Sequence, residues 1–341
     1  MDVAIIGAGG VCGRQLLFQT LSQRIVSPDA RIELVTHRGG QSEREMWGLR
    51  GDAADAFDEI APTLDIVFDP HQITAGVVVV LAGATISTDP NVPADRTALA
   101  ATNTAMFTEY AEALAARDHP PIVVVQSNPV ELGVKIFSRR LPRRSVLGAA
   151  GFSDSLRFGR EVARDLGVAR RDVRALVLGE HGDRMVPLWS QLQVRGRDAA
   201  EYAEQVRAGR QLSDLPDEIR AGKAQMLDLV KSGDIAAAYA YVESLPADVR
   251  FAVKPFFTHF TAGRTTEAAT ANAAAWLVSM LINGFPLMVS AQVRLEGDFH
   301  ELHGVTAVPL ILSPTGWSRT VAMDLAEDEL DLLSASVLPT D

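Results

Sequence analysis

The sequence has almost no cysteine, no sustained run of basic residues and no apolar stretch long enough to span a bilayer. Each absence removes a class of protein. Cys12 is the single cysteine among 341 residues. It can form no disulfide within the chain, which suits a reducing compartment. Lys and Arg number 32 against 43 Asp and Glu, a net charge of −11. An acidic chain without a long Lys/Arg run disfavours polyanions, so no nucleic-acid partner is expected. The apolar runs at 77–81 and 273–281 fall well short of the ~20 residues that a membrane helix needs. No charged leader or apolar core precedes the first strand at Val3-Ala4-Ile5-Ile6. Neither a signal peptide nor a membrane partner is expected, and a cytoplasmic location follows. What is present is ordinary globular material: 47% hydrophobic and 22% charged residues, enough for a full core in one large domain or two ordinary ones.

The strand at 3–6 runs directly into GAGGVCG at 7–13, and Leu16, Leu17, Thr20 and Leu21 then recur at helical spacing. Strand, glycine loop and helix in that order form the context a dinucleotide fingerprint requires. Gly7 allows a tight turn, and Gly9 or Gly10 lets main-chain amides approach a pyrophosphate. Gly13 lets the helix pack close to the sheet, and the helix N-terminus supplies a positive field for phosphate. Cys12 reads as a small buried filler. A second strand, 32–35, ends in Thr36-His37-Arg38-Gly39-Gly40, with no carboxylate before Glu43. An acidic residue there would hold ribose hydroxyls, whereas a basic end accepts a 2′-phosphate, so NADP is favoured over NAD. Thr36, His37 and Arg38 are the candidate contacts. The alternative is that Arg38 is a solvated loop residue.

Two further strands, 77–81 and 122–126, are apolar without alternation and so buried on both faces. A polar loop, TISTDPNVPADR, and a helix at 99–116 lie between them. Four strands alternating with helices predict a parallel, doubly wound α/β sheet of Rossmann type, with its ligand beyond the strand C-terminal ends. Arg96 and Asn128 fall at that edge, and Gly83 and Asn103 join the candidate cofactor set. We place a dinucleotide-binding domain at 1–145 and an α+β substrate-binding, catalytic domain at 146–341.

The chemistry of the second half centres on VLGEHGDRMVPLWS at 177–190. An apolar strand at 175–178 is ended by Gly179, and His181 follows between Glu180 and Gly182-Asp183. Imidazole at a strand end beside carboxylates is placed to exchange a proton near neutral pH. Upstream, GAAGFSDSLRFGREVARDLGV at 148–168 becomes an amphipathic helix in which Asp154 and Arg157, three apart, share a face. An ordinary surface ion pair is the alternative. Residues 196–255 read as charged, Ala-rich helices with loops. A helix at 266–282, strands near 287–294 and 305–312, and a helix at 327–333 complete the chain. His300 and His303 form an HxxH without a third ligand at a supporting spacing, so no metal is expected. His259 among Phe256, Phe257 and Phe260 reads as a packed core or interface residue.

These motifs resemble the malate/lactate dehydrogenase family. GAGGVCG, SNPVE at 127–131, GFSDSLRF at 151–158, GEHGDRMVPLWS at 179–190 and AVPLIL at 307–312 occur in that family's order. The resemblance implies an NAD(P)-dependent 2-hydroxyacid oxidoreductase acting on a small 2-oxo or 2-hydroxy acid, assembled as a homodimer or homotetramer. It implies that His181 exchanges the proton, that Asp154 orients the imidazole and that Arg157 grips the substrate carboxylate. Arg96 would close over the site, Asn128 would bond the reacting oxygen, and Thr265 would line the pocket.

The chain also departs from the family pattern. The loop between Gly83 and Arg96 is longer and holds neither the arginine of the malate enzymes nor the glutamine of the lactate enzymes. It carries Asp89 and Asp95 instead. Glu267 stands at a usually apolar position, Arg184 replaces a small residue, and 214–254 reads as a helical insertion. A closed, dry site with acidic neighbours disfavours a second substrate carboxylate. The expected substrate is therefore a monocarboxylic 2-oxoacid larger than pyruvate; the alternatives are a malate dehydrogenase in which Arg184 or the insertion supplies the missing cation, and a non-catalytic binding protein on the same fold.

Overall fold

A computed structural model describes residues 1–39, 41–92 and 96–340, and the side chains of residues 41 and 96–98 lie outside that description. The first half alternates strand and helix: β1 (Val3–Ile6), α1 (Val11–Ser22), β2 (Arg31–Val35), α2 (Gln41–Ala56), β3 (Thr63–Val67), β4 (Val77–Val80), α3 (Arg96–Ala115), β5 (Ile122–Val125), α4 (Val130–Arg140) and β6 (Val146–Gly148). These strands pair in parallel in the order β3-β2-β1-β4-β5-β6. That is the order of a doubly wound dinucleotide sheet, whose crevice opens at the strand C-terminal ends. Every residue of β1, β4 and β5 is buried, as strands covered by helices on both faces must be.

Six parallel strands exceed the four read from periodicity. β3 escapes notice because it is an edge strand with Asp65 at its centre and its first residue exposed. β6 is only three residues long. The helix α2 carries Gly48 and Gly51 and little apolar material, so no stripe betrays it.

The second half continues the same sheet. It contains α5 (Ala150–Leu166), β7 (Val173–Arg174), β8 (Val177–Gly179), β9 (Met185–Pro187), β10 (Gln193–Val194) and α6 (Ala199–Arg207). The helices α7 (Leu215–Lys231), α8 (Ile235–Ser244), α9 (Ala247–Ala262) and α10 (Glu267–Asn283) follow, then β11 (Met288–Glu296), β12 (His303–Ser313), β13 (Gly316–Thr320) and α11 (Glu327–Ala335). β11 pairs antiparallel with β6 at Gln292 and Gly148, and β12, β8 and β9 extend the sheet beyond it. The strand before His181 runs over 177–179 rather than 175–178, so Gly179, at φ +84°, is its last residue. The aromatic segment at 253–263 is helical, the end of α9, despite Pro255 inside it.

α5 positions the site. Its face with Asp154, Phe158, Glu161 and Val162 is buried, and Gly167 ends it in the left-handed conformation at φ +62°. Phe158 packs edge-on against Trp189 at 5.0 Å and against Phe251 of α9 at 5.5 Å. Burial of such a ring stabilises by roughly 1.5–3 kcal/mol, which anchors the helix between β8 and α9. Among the described residues no helix is long and apolar enough to cross a membrane.

Candidate active site

The candidate site lies where the loop after β8 meets the first turns of α5. His181 Nδ1 lies 2.6 Å from Asp154 Oδ2, and Arg157 Nη1 donates to the other oxygen of the same carboxylate at 2.9 Å. Asp154 is 3% exposed and Arg157 12%. A carboxylate this enclosed must be compensated, and here two donors share it. Burial opposes the Asp154 anion, but His181 and Arg157 outweigh it and hold the carboxyl below its ordinary value. Burial likewise opposes charge on His181. Asp154 and, behind it, Glu131 overcome that, so the imidazole protonates above its ordinary pKa.

Arg157 also donates through Nη2 to Thr266 Oγ1 at 3.1 Å. The hydroxyl that meets the guanidinium is thus that of Thr266, one residue beyond Thr265. The Thr265 carbonyl accepts from the Glu267 amide at the start of α10. Arg96 opens α3, and its side chain lies outside the described residues. Asn128, after β5, offers its carbonyl to Asn103 Nδ2 at 2.7 Å. Asn103 further donates to the Ala84 carbonyl and accepts from the Ala84 amide. Its amide is engaged with main chain on both sides, so Asn103 braces the floor of the crevice. Gly83 is required beside it, since a Cβ there would lie 2.7 Å from Asn103 Oδ1.

Glu131 went unremarked in the sequence. It is buried on the first turn of α4 and accepts the His181 main-chain N–H at 2.8 Å. Burial pushes its carboxyl up, and the nearby His181 opposes that only in part. Neither contact is readable locally, because Glu131 and His181 are 50 residues apart.

The departures from the family pattern find their places. Arg184 donates to Glu180 Oε2 at 2.6 Å and to the Ala335 carbonyl at 2.8 Å. Lys223 of α7 reaches Asp183 Oδ1 at 2.7 Å and sits 4.0 Å over the Phe256 ring. Glu267 lies by α1, where burial first and its charge second push the Cys12 thiol up to about 11. The loop after β4 is tethered to α9, because His259 Nε2 donates to the Ser87 carbonyl at 3.0 Å. His300 Nε2 lies 3.0 Å from the Met323 carbonyl.

The residues for a dinucleotide lie along the strand ends. Gly7, at φ +85°, admits no Cβ because one would sit 2.6 Å from the Ala82 amide. A Cβ on Gly13 would be 2.3 Å from the Gly7 carbonyl. Gly10 begins α1 in extended conformation without a side-chain cap, which leaves the first amides of the helix for an anion. Gly9, between them, lies against Ser42 and Met46 of α2. Thr36 Oγ1 meets Ser42 Oγ at 3.0 Å, His37 stacks obliquely near Tyr110, and the Arg38 guanidinium lies 4.5 Å over the Phe68 ring. Gln126 Oε1, at the end of β5, is buried without a partner among the described residues. A cradle closed to side chains and an orphaned buried acceptor fit a dinucleotide.

The profile of the lactate/malate dehydrogenase α/β C-terminal domain matches residues 153–264. A malate dehydrogenase of Sorangium cellulosum is 30% identical over 266 residues, spanning 77% of this chain and 72% of the relative. The malate dehydrogenase of Plasmodium falciparum superposes with a TM-score of 0.76 at 20% identity, covering 98% of this chain and 95% of that one. A lactate dehydrogenase of Cryptosporidium parvum, solved with lactic acid and nicotinamide adenine dinucleotide, gives 0.75 at 22%, covering 98% and 94%.

Proposed function

The chain belongs to the lactate/malate dehydrogenase family, and from that premise we propose that it oxidises and reduces a small 2-hydroxy/2-oxo acid with His181 as proton donor and acceptor. The observation that carries this is the triad of His181, Asp154 and Arg157, in which one buried carboxylate joins the other two. With Nδ1 committed to Asp154, Nε2 is the nitrogen that gives a proton to the carbonyl oxygen and retakes it from the hydroxyl. Arg157 holds the substrate carboxylate, assisted by Thr266 beside it. Asn128, Thr265 and Arg96 are assigned to the reacting oxygen, the pocket wall and closure. Gly7, Gly9, Gly10 and Gly13 would seat the dinucleotide, which when bound supplies or accepts the hydride.

NADP is the preferred cofactor in this reading, with NAD as the alternative. Arg38, with its guanidinium 4.5 Å over the Phe68 ring, supports a 2′-phosphate contact. Glu43, which accepts the Gly39 amide, supports the alternative. The substrate we assign is a monocarboxylic 2-oxoacid larger than pyruvate. In its favour, Arg184 is engaged by Glu180 and Ala335. Malate is the second reading, favoured by the names of the relatives and by Lys223, a cation that the insertion brings to the loop of His181. Homodimer or homotetramer assembly belongs to the proposal, and exposed Trp276, Phe285 and Leu287 offer apolar surface for it.

Turnover of pyruvate, oxaloacetate and branched 2-oxoacids, each with NADH and NADPH, tests these assignments together. The branched acids with NADPH should give the highest kcat/KM. A preference for oxaloacetate selects the second reading, and no turnover on any of them defeats the proposal.

A further inference from the structure

Beside His181 lies a second buried carboxylate that the proton-transfer scheme leaves unused. Glu131 Oε1 accepts two donors, the His181 main-chain N–H at 2.8 Å and Gln292 Nε2 at 3.2 Å. Gln292 Oε1 in turn accepts the Gly151 amide at 3.1 Å, at the start of the helix that carries Asp154 and Arg157. Glu131 is 4% exposed and Gln292 0%. Space for the glutamine is built in: a Cβ on Gly148 would lie 2.8 Å from Gln292 Oε1. One carboxylate therefore joins α4, the loop of His181, β11 and the first turn of α5.

We propose that Glu131 is a positioning residue for His181, which fixes the main chain of the histidine as Asp154 fixes its ring and adds negative charge behind the imidazolium. Burial opposes the Glu131 anion and pushes its carboxyl up; against that, both donors to its oxygen are N–H groups and the carboxylate stands at a helix N-terminus, each of which favours the anionic form. The charged groups facing the imidazole are Asp154 and Arg157 from α5 and Glu131 from α4. Glu180 bears on Glu131, and Asp183, two residues along the loop, pairs with Lys223 of α7.

This inference rests on the dehydrogenase reading for its kinetic arm only. The test is NMR titration of ¹³C-histidine-labelled protein, with His181 assigned by comparison with His181→Asn, alongside pH profiles of 2-oxoacid reduction. Glu131→Gln keeps an acceptor oxygen but loses the charge. It should lower the His181 midpoint, and the alkaline limb of the profile, by about one pH unit, the low end for an opposite charge a few ångströms away. Glu131→Asp should restore both. An unmoved His181 midpoint in a folded Glu131→Gln protein overturns the proposal. If that variant does not fold, Gln292→Met releases the carboxylate from its tie. A severalfold fall in kcat with an unchanged KM is then expected, and parental kcat at every pH overturns the proposal. A parent without turnover defeats the functional reading alone, because the NMR arm still decides the inference.

Discussion

At the strand ends of the first half, the seat for a dinucleotide is made of main chain. Its glycine loop closes on itself, as where Gly10 donates to Gly7, and against the next strand end, as where Gly7 approaches Ala82. The site around His181 is made of charged side chains, two of them buried carboxylates, drawn from far apart. His181 meets Asp154 across 27 residues, Glu131 across 50, and Arg157 meets Thr266 across 109. A main-chain seat depends on where a Cβ is forbidden and little on side-chain identity. A pocket of buried charges depends on every partner, because removing one leaves another uncompensated in a low-dielectric interior. Function in the two regions should therefore fail in different ways.

His181→Asn should break the second region most sharply. We expect turnover to fall by about 10²–10⁴-fold or more, the contribution of a general acid–base, with dinucleotide affinity unchanged by fluorescence titration. Retained turnover within a few-fold removes His181 from the mechanism. Arg157→Lys keeps the charge and loses the planar fork. Loss of a charge-assisted bond of about 1.5–3 kcal/mol should raise KM for the 2-oxoacid by roughly 10- to 100-fold. An unchanged KM would make Arg157 a structural partner of Asp154 alone.

Gly13→Ala probes the first region. Its Cβ would press on the Gly7 carbonyl, and overpacking of this kind costs about 1–3 kcal/mol. Dinucleotide affinity and Tm should fall together while the His181 titration stays in place; undiminished affinity would show that the loop does not seat the cofactor. A smaller effect is expected from Arg38→Ala. NADPH should lose about tenfold in kcat/KM and NADH nothing, since only NADPH carries the phosphate that Arg38 would meet. Equal losses would show that Arg38 acts through its packing on Phe68.

The mildest probe is pH. Asp154 has a depressed pKa, so its contribution to stability is present above the ordinary carboxylate value and lost as pH falls through the depressed one. His181 has a raised pKa, so its contribution is full below the ordinary imidazole value and lost as pH rises through the raised one. Tm should be greatest between those limits. His181→Asn should flatten the alkaline decline, and a decline of parental size in that variant would assign it to another group.

Much of this molecule was determined by the sequence alone. Uniform apolar runs at β1, β4 and β5, the glycine loop and the cationic end of β2 are local features, and local sterics set their geometry. The i, i+3 spacing of Asp154 and Arg157 put them on one helical face for the same reason. Tertiary structure alone decided the rest. β3 and α2 are held by their neighbours against weak local patterns, and α9 continues through Pro255 because its residues Val249 and Val253 pack on Gly222 of α7. The meeting of Arg157 with Thr266, the engagement of Arg184 by Glu180 and Ala335 and the tether from His259 to Ser87 depend on which way side chains turn once helices dock. The placement of Glu131 behind His181 is of the same kind. A buried carboxylate finds its donors wherever the fold delivers them, and no spacing along the chain encodes that meeting.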